Sequence, residues 1–197
     1  QLEEFLAAVH LVSDTKRTAL KGRLKHFQRL KWPPGSNKGK GARVKYGVGQ
    51  TLSLAVAIEL LQIGLTPERI VDQLLIAGCS LPEGFCEALS EQGLSTDSVF
   101  YMFSPESLYA LRDQTEKYEG FKSFFISKRE FQKMALVADM FTLRRFAVLN
   151  LSEILNSFIS YFKVTDFESF VDELENWRAH SGERQDDHQI SEISELS

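Results

Sequence analysis

At 197 residues the chain can form one domain of ordinary size or two small ones, and fifteen Phe supply ample core material. No apolar run approaches the roughly 18–20 residues that cross a bilayer, and two Cys, Cys79 and Cys86, suit a reducing cytoplasm, so a membrane-spanning protein and a disulfide scaffold are excluded. The net charge of -4 conceals an asymmetry: residues 1–50 carry eleven Lys/Arg against Glu3, Glu4 and Asp14, a net +8, whereas residues 51–197 carry twelve against twenty-four acids, a net -12, which predicts a polyanion-binding face on an otherwise acidic, soluble protein.

The chain opens on Gln1 rather than Met, as a trimmed product or one lacking upstream residues would, and its start carries no secretory signal pattern. Phe5, Leu6, Val9 and Val12 repeat at three- and four-residue spacing and predict a helix over Leu2–Val12. Ser13, Asp14 or Thr15 ends it and caps a second helix over Lys16–Leu30. On that helix Leu20, Leu24 and Phe27 share a face, with Leu30 at its edge, while Thr18, Lys21, Lys25, His26 and Arg29 lie on the other side. One packing face opposite a row of cations suits a helix lying in a DNA major groove. Gly22 is costly in mid-helix. It either lets a sugar-phosphate backbone approach or marks a bend or a tight packing contact.

Trp32-Pro33-Pro34-Gly35 stops the helix. Lys38 and Lys40 follow between glycines, and Ala42–Tyr46 has strand character, so two extended arms around a Gly/Lys tip describe a β-wing able to follow a phosphate backbone. The loop lacks the GK[ST] of a nucleotide-binding loop. Gly49–Ile63 is apolar nearly all round and predicts a buried helix, stopped by Gly64. Thr66-Pro67-Glu68 restarts a helix, and Ser80-Leu-Pro-Glu83 opens another to about Gln92.

In that order the pieces resemble the MerR family of bacterial transcription regulators. Leu24-Lys-His-Phe-Gln-Arg-Leu-Lys-Trp-Pro33-Pro34 is similar to the family's second helix and its exit, with Lys31 where the family has Gly. Arg43-Val-Lys-Tyr46 is similar to the wing segment that returns with Arg and Tyr. Ile63-Gly-Leu-Thr-Pro-Glu-Arg-Ile70 stands at the turn between the next two helices. The resemblance covers about residues 3–77 and implies a winged helix-turn-helix, operator DNA binding and a homodimer. The family's long antiparallel dimer helix is not visible after Gly93.

Beyond Ser98, strand candidates at Val99–Phe103, Phe121–Ile126 and Arg145–Leu149 are each followed by a helix start: Ser104-Pro-Glu106, Ser127-Lys-Arg-Glu130 and Asn150-Leu-Ser-Glu153. Helices over Leu151–Phe162 and Asp166–Ala179 close the ordered chain, and the polar, acidic stretch 181–197 reads as a disordered tail. The expected organisation is mainly α: a winged helix-turn-helix domain with extra helices over 1–93, a small α+β domain over 94–180 for dimerisation or effector binding, and the tail.

Cys79 and Cys86 read as two buried, reduced thiols. His10, His26, His180 and His188 are scattered and make no ligand set. No nucleophile or metalloprotease motif occurs, so neither catalysis nor a cofactor is expected. The expected function is a sequence-specific, DNA-binding transcriptional regulator of the bacterial cytoplasm, associated with the nucleoid. Thr18, Lys21, Lys25, His26, Gln28 and Arg29 are its helix contacts, and Lys38, Lys40, Arg43 and Lys45 its wing contacts. Most would hold phosphates, with Arg29 or Gln28 reading bases. Expected partners are duplex DNA, a second copy of the chain, and RNA polymerase or a regulatory protein. The alternatives are a partition or recombination factor using the same module, or a protein–protein adaptor with a basic face.

Overall fold

A computed structural model describes residues 1–34, 46–76, 80–94, 98–105, 123–136 and 146–194. Among them are eight α-helices and three strands: α1 (Leu2–Val9), a 3-10 turn (Asp14–Lys16), α2 (Arg17–Arg29), α3 (Val48–Gln62), α4 (Pro67–Ile76), α5 (Ser80–Leu94), β1 (Val99–Phe103), β2 (Phe124–Ser127), α6 (Lys128–Leu136), β3 (Ala147–Asn150), α7 (Leu151–Phe162) and α8 (Phe167–Ser194). The fold is mainly helical with one small antiparallel sheet.

The centre of the fold is α3. Leu52, Leu54, Ala55, Val56, Ala57, Ile58 and Leu60 are all buried, and α4, α7 and α8 pack around it. An all-round apolar helix needs such a jacket. Its two buried hydroxyls are satisfied locally: Thr51 donates to the Gly47 carbonyl at 2.9 Å and Ser53 to that of Gly49 at 2.8 Å. The α4 start is as its sequence predicts. The Thr66 hydroxyl accepts from the Arg69 amide at 3.3 Å, and Pro67 is the first helical residue.

The strands run in the order β2-β1-β3, both pairs antiparallel. Val99, Tyr101 and Phe103 point one way, into the main core with α5 and α7. Met102 points the other way, with Ile126 and, at its edge, Phe100, Phe131 and Met134, beneath α6. The alternation is what a sheet covered on both faces requires. Two predicted helix starts are realised as hydrogen bonds. The Ser127 hydroxyl accepts from the Glu130 amide at 3.2 Å while Glu130 Oε2 accepts from the Ser127 amide at 3.2 Å, and Asn150 Oδ1 accepts from the Glu153 amide at 3.1 Å.

Several elements differ from expectation. The first helix ends at Val9 rather than Val12, because Leu11 turns left-handed at φ 52° and the Leu11 and Val12 amides fold back onto the carbonyls of Ala8 and Ala7. Within α2, Leu20 and Phe27 are buried, but Leu24 is only half-buried at the edge of the core. The last helix does not stop near Ala179. It continues to Ser194, through most of the stretch expected to be a disordered tail. Its physical reason is local: 181–194 contains no Pro and carries Glu, Gln, Arg and Ile, which a helix tolerates. Residues from both sides of the expected boundary at 93/94 share one buried cluster, which runs from Phe5 through Tyr101 to Leu174. The expected wing and the helix start after Ser104-Pro105 lie outside the described residues, as does Cys79.

Candidate nucleic-acid interface

The cationic row on α2 exists because the helix's apolar stripe is narrow. Leu20 and Phe27 pack inward, and Thr18, Lys21, Lys25 and Arg29 come out on the far side, all exposed. Gly22 sits among them, and a Cβ added there would meet nothing within 4 Å. Tight packing therefore does not explain the glycine, which leaves a bare strip of backbone between cations. Arg23 is exposed as well. Sequence reasoning passed over it because a helical wheel puts it close to the apolar stripe.

The expected contacts are not equally free. Lys21 Nζ lies 3.3 Å from Glu3 Oε1 on α1. His26 Nε2 lies 2.9 Å from Glu68 Oε1 in the first turn of α4. Gln28 donates through Nε2 to the Tyr46 hydroxyl at 2.6 Å, in a partly buried contact. By contrast Lys25 and Arg29 make no ion pair among the described residues. An exposed cation without an internal partner has the least to give up when it meets a phosphate.

The Glu68 carboxyl titrates below its ordinary range. The main cause is its hydrogen bond to a backbone N–H at the helix start. Partial burial opposes this, and the His26 hydrogen bond and charge add to it. His26 thus ties α2 to α4 as much as it faces solvent.

The chain leaves α2 and returns to α3 at one place. Gln50 donates through Nε2 to the Pro34 carbonyl at 3.0 Å, and its Oε1 accepts from the Gly47 amide at 3.2 Å. Together with the Gln28–Tyr46 contact, this fixes Pro34 and Tyr46, the described residues on either side of the sequence that contains Lys38, Lys40, Arg43 and Lys45. Those four cations lie outside the described residues. Tyr46 and Gln50 were legible only as a wing end and a helix start. Their clamping role depends on groups 16 and 18 residues apart in sequence meeting in space, the Gln50 side chain on the Pro34 carbonyl and the Gln28 side chain on Tyr46.

Elsewhere, Cys86 is a half-buried free thiol, pushed up in pKa chiefly by burial and then by Glu175. His10 is buried with Nδ1 3.0 Å from Glu59 Oε1, joining the ends of α1 and α3. Among the described residues no three of His, Cys, Asp and Glu gather as metal ligands. None of their helices is long and apolar enough to cross a membrane. Comparison of the chain with family models, with curated proteins and with solved structures returned no match.

Proposed function

We propose that this chain is a sequence-specific DNA-binding transcriptional regulator that lays the exposed face of α2 along the major groove. The observation that carries the reading is the row Thr18, Lys21, Lys25 and Arg29 around the uncovered Gly22, backed by a buried face. A helix with that section can bring its backbone close to sugar-phosphate and its cations onto phosphates. Lys25 and Arg29 are the first contacts. Lys21 joins them when a phosphate displaces Glu3. Arg29 is the base reader, because its fork can grip a guanine edge. Gln28 reads bases only by releasing Tyr46.

The likeness to MerR-type regulators has physical support at Lys31. It stands where that family carries Gly, and it adopts φ 60°, the left-handed conformation for which Gly is the default. The pinned ends at Pro34 and Tyr46–Gln50 support a wing that carries Lys38, Lys40, Arg43 and Lys45 onto the adjacent phosphates. On this reading the protein acts as a homodimer on half-sites about 34 Å apart, at the nucleoid of a bacterial cytoplasm, with RNA polymerase or a regulatory protein as its partner.

A second reading has its own observation. Lys21 and His26 already hold the carboxylates Glu3 and Glu68, so an acidic protein surface could occupy the same face, making the chain an adaptor. Selection from a random duplex pool separates the two. Recovery of a shared, near-palindromic motif is expected for the regulator, and its genomic positions distinguish a promoter protein from a partition or recombination factor. Recovery of duplexes with no common motif, bound only at low salt, would defeat sequence-specific binding.

A further inference from the structure

A groove of about 700 Å³ opens between the start of α1, the side of α2, the entry to α3 and the end of α7. Its walls are chemically uneven. Leu24 and Phe162, both only partly buried at the rim of the core, supply apolar surface. Lys21 and Lys25 line one side. Glu3 is the acid that faces them, and Lys21 already pairs with it at 3.3 Å, which leaves Lys25 as uncompensated positive charge among the described residues. Tyr46 lines it too, and its hydroxyl, having accepted from Gln28, keeps its own hydrogen to donate.

We propose that this groove is a binding site for a small organic anion with an aromatic or aliphatic body, and that its occupation opposes DNA binding. The volume is in the range of small-molecule sites and far exceeds that of an inorganic anion. Apolar walls with cations at one side call for an amphiphile: the body covers Leu24 and Phe162, and the acid group meets Lys25 and the Tyr46 hydroxyl. The coupling follows from shared residues and rests on the DNA-binding reading above. Lys21 and Lys25 line the groove and also belong to the exposed cationic row, so one anion in the groove neutralises charge that the phosphates need. Such competition is reciprocal, and DNA must weaken the anion by the same factor.

The test has two arms on the full chain. In the first, the anionic dye anilinonaphthalenesulfonate is titrated by fluorescence. Saturable binding of one dye per chain is expected, with affinity about tenfold weaker in Lys25→Gln and lowered in Tyr46→Phe. Lys133→Gln on α6 and Phe167→Ser, which removes an exposed ring of α8, are expected to match the parent. Lys25 is exposed, so its variant should melt with the parent, and melting curves verify this. Absence of saturable binding, or equal affinity in Lys25→Gln and Lys133→Gln, overturns the site. In the second arm, duplex affinity is measured with and without saturating dye. A loss of fivefold or more, on the scale of ordinary coupling energies, is expected. Unchanged affinity overturns the coupling while the site stands. If the parent binds no duplex at all, the coupling falls with the DNA reading, and the first arm still decides the site.

Discussion

Four helices end by the same backbone device, and three do it without glycine. Leu11, Lys31 and Lys163 take φ 52°, 60° and 50° after α1, α2 and α7, while Gly64 takes 99° after α3. In each case the amides of that residue and the next return to carbonyls near the helix end. A side chain in this region is crowded by the neighbouring carbonyl, at a cost of about 1 kcal/mol. Leu11 is 91% exposed and has no packing to lose. Leu11→Gly is therefore expected to stabilise the protein by about 0.5–1 kcal/mol, read as a raised denaturation midpoint; an unchanged or lowered midpoint would contradict the strain argument. Gly22 is the converse case. Gly22→Ala should stabilise α2 by about 0.8–1 kcal/mol, since the added methyl meets nothing, yet it should weaken duplex binding by filling the bare strip between the cations. A variant that gains stability with unaltered affinity would remove close backbone approach from the account.

At the scale of elements, periodicity and capping chemistry disclosed the mainly helical class and several element starts. β1 spans the expected residues, Val99–Phe103, and Thr66, Ser127 and Asn150 start their helices as predicted. Less was legible where packing decides. Leu24 and Phe27 look equivalent on a helical wheel, but only Phe27 is fully buried, because Leu24 faces the groove beside α1 and α7. Of the candidate interface, composition located the cations but could not tell which were already paired. Glu3 and Glu68 reach α2 from other elements, and no local pattern announces them. Two contacts between elements can be tested. Gly84 of α5 lies against Phe125 of β2 and Leu151 of α7, close enough that an added Cβ would clash. Gly84→Ala is expected to cost about 1–3 kcal/mol, and a parent-like denaturation curve would mean that this contact is loose. The Glu68 carboxyl, held first by its backbone N–H at the start of α4 and then by His26, has a pH signature. A carboxyl whose pKa is lowered on folding adds stability above its unfolded pKa and loses it as pH falls through the folded value. Glu68→Gln should therefore lower the melting temperature slightly at neutral pH, where the contribution is present, and flatten its decline below roughly pH 4, where parent and variant converge. An acid limb identical to that of the parent would remove Glu68 from it.

For the whole molecule, charge and fold divide the work. The basic first quarter of the chain places its cations on α2 and on the segment after it while burying Phe5, Leu6 and Phe27, and the remainder, at a net -12, supplies the rest of the core, the sheet and acidic helices such as α8. On the proposed function, a net-negative chain meets DNA through its local field, so association should be steep in salt and orientated by α2. The buried cluster runs from α1 through the sheet to α8, and α2 packs against it through α1 and α4. The measurement that tests this account most directly is the salt dependence of duplex affinity for the parent, Lys25→Gln and Arg29→Gln. Each variant is expected to lower the slope of log affinity against log salt by about one unit, and Arg29→Gln should in addition relax the sequence preference at one position of the selected motif. Slopes equal to that of the parent in both variants would place the phosphate contacts elsewhere and contradict α2 as the DNA-binding helix.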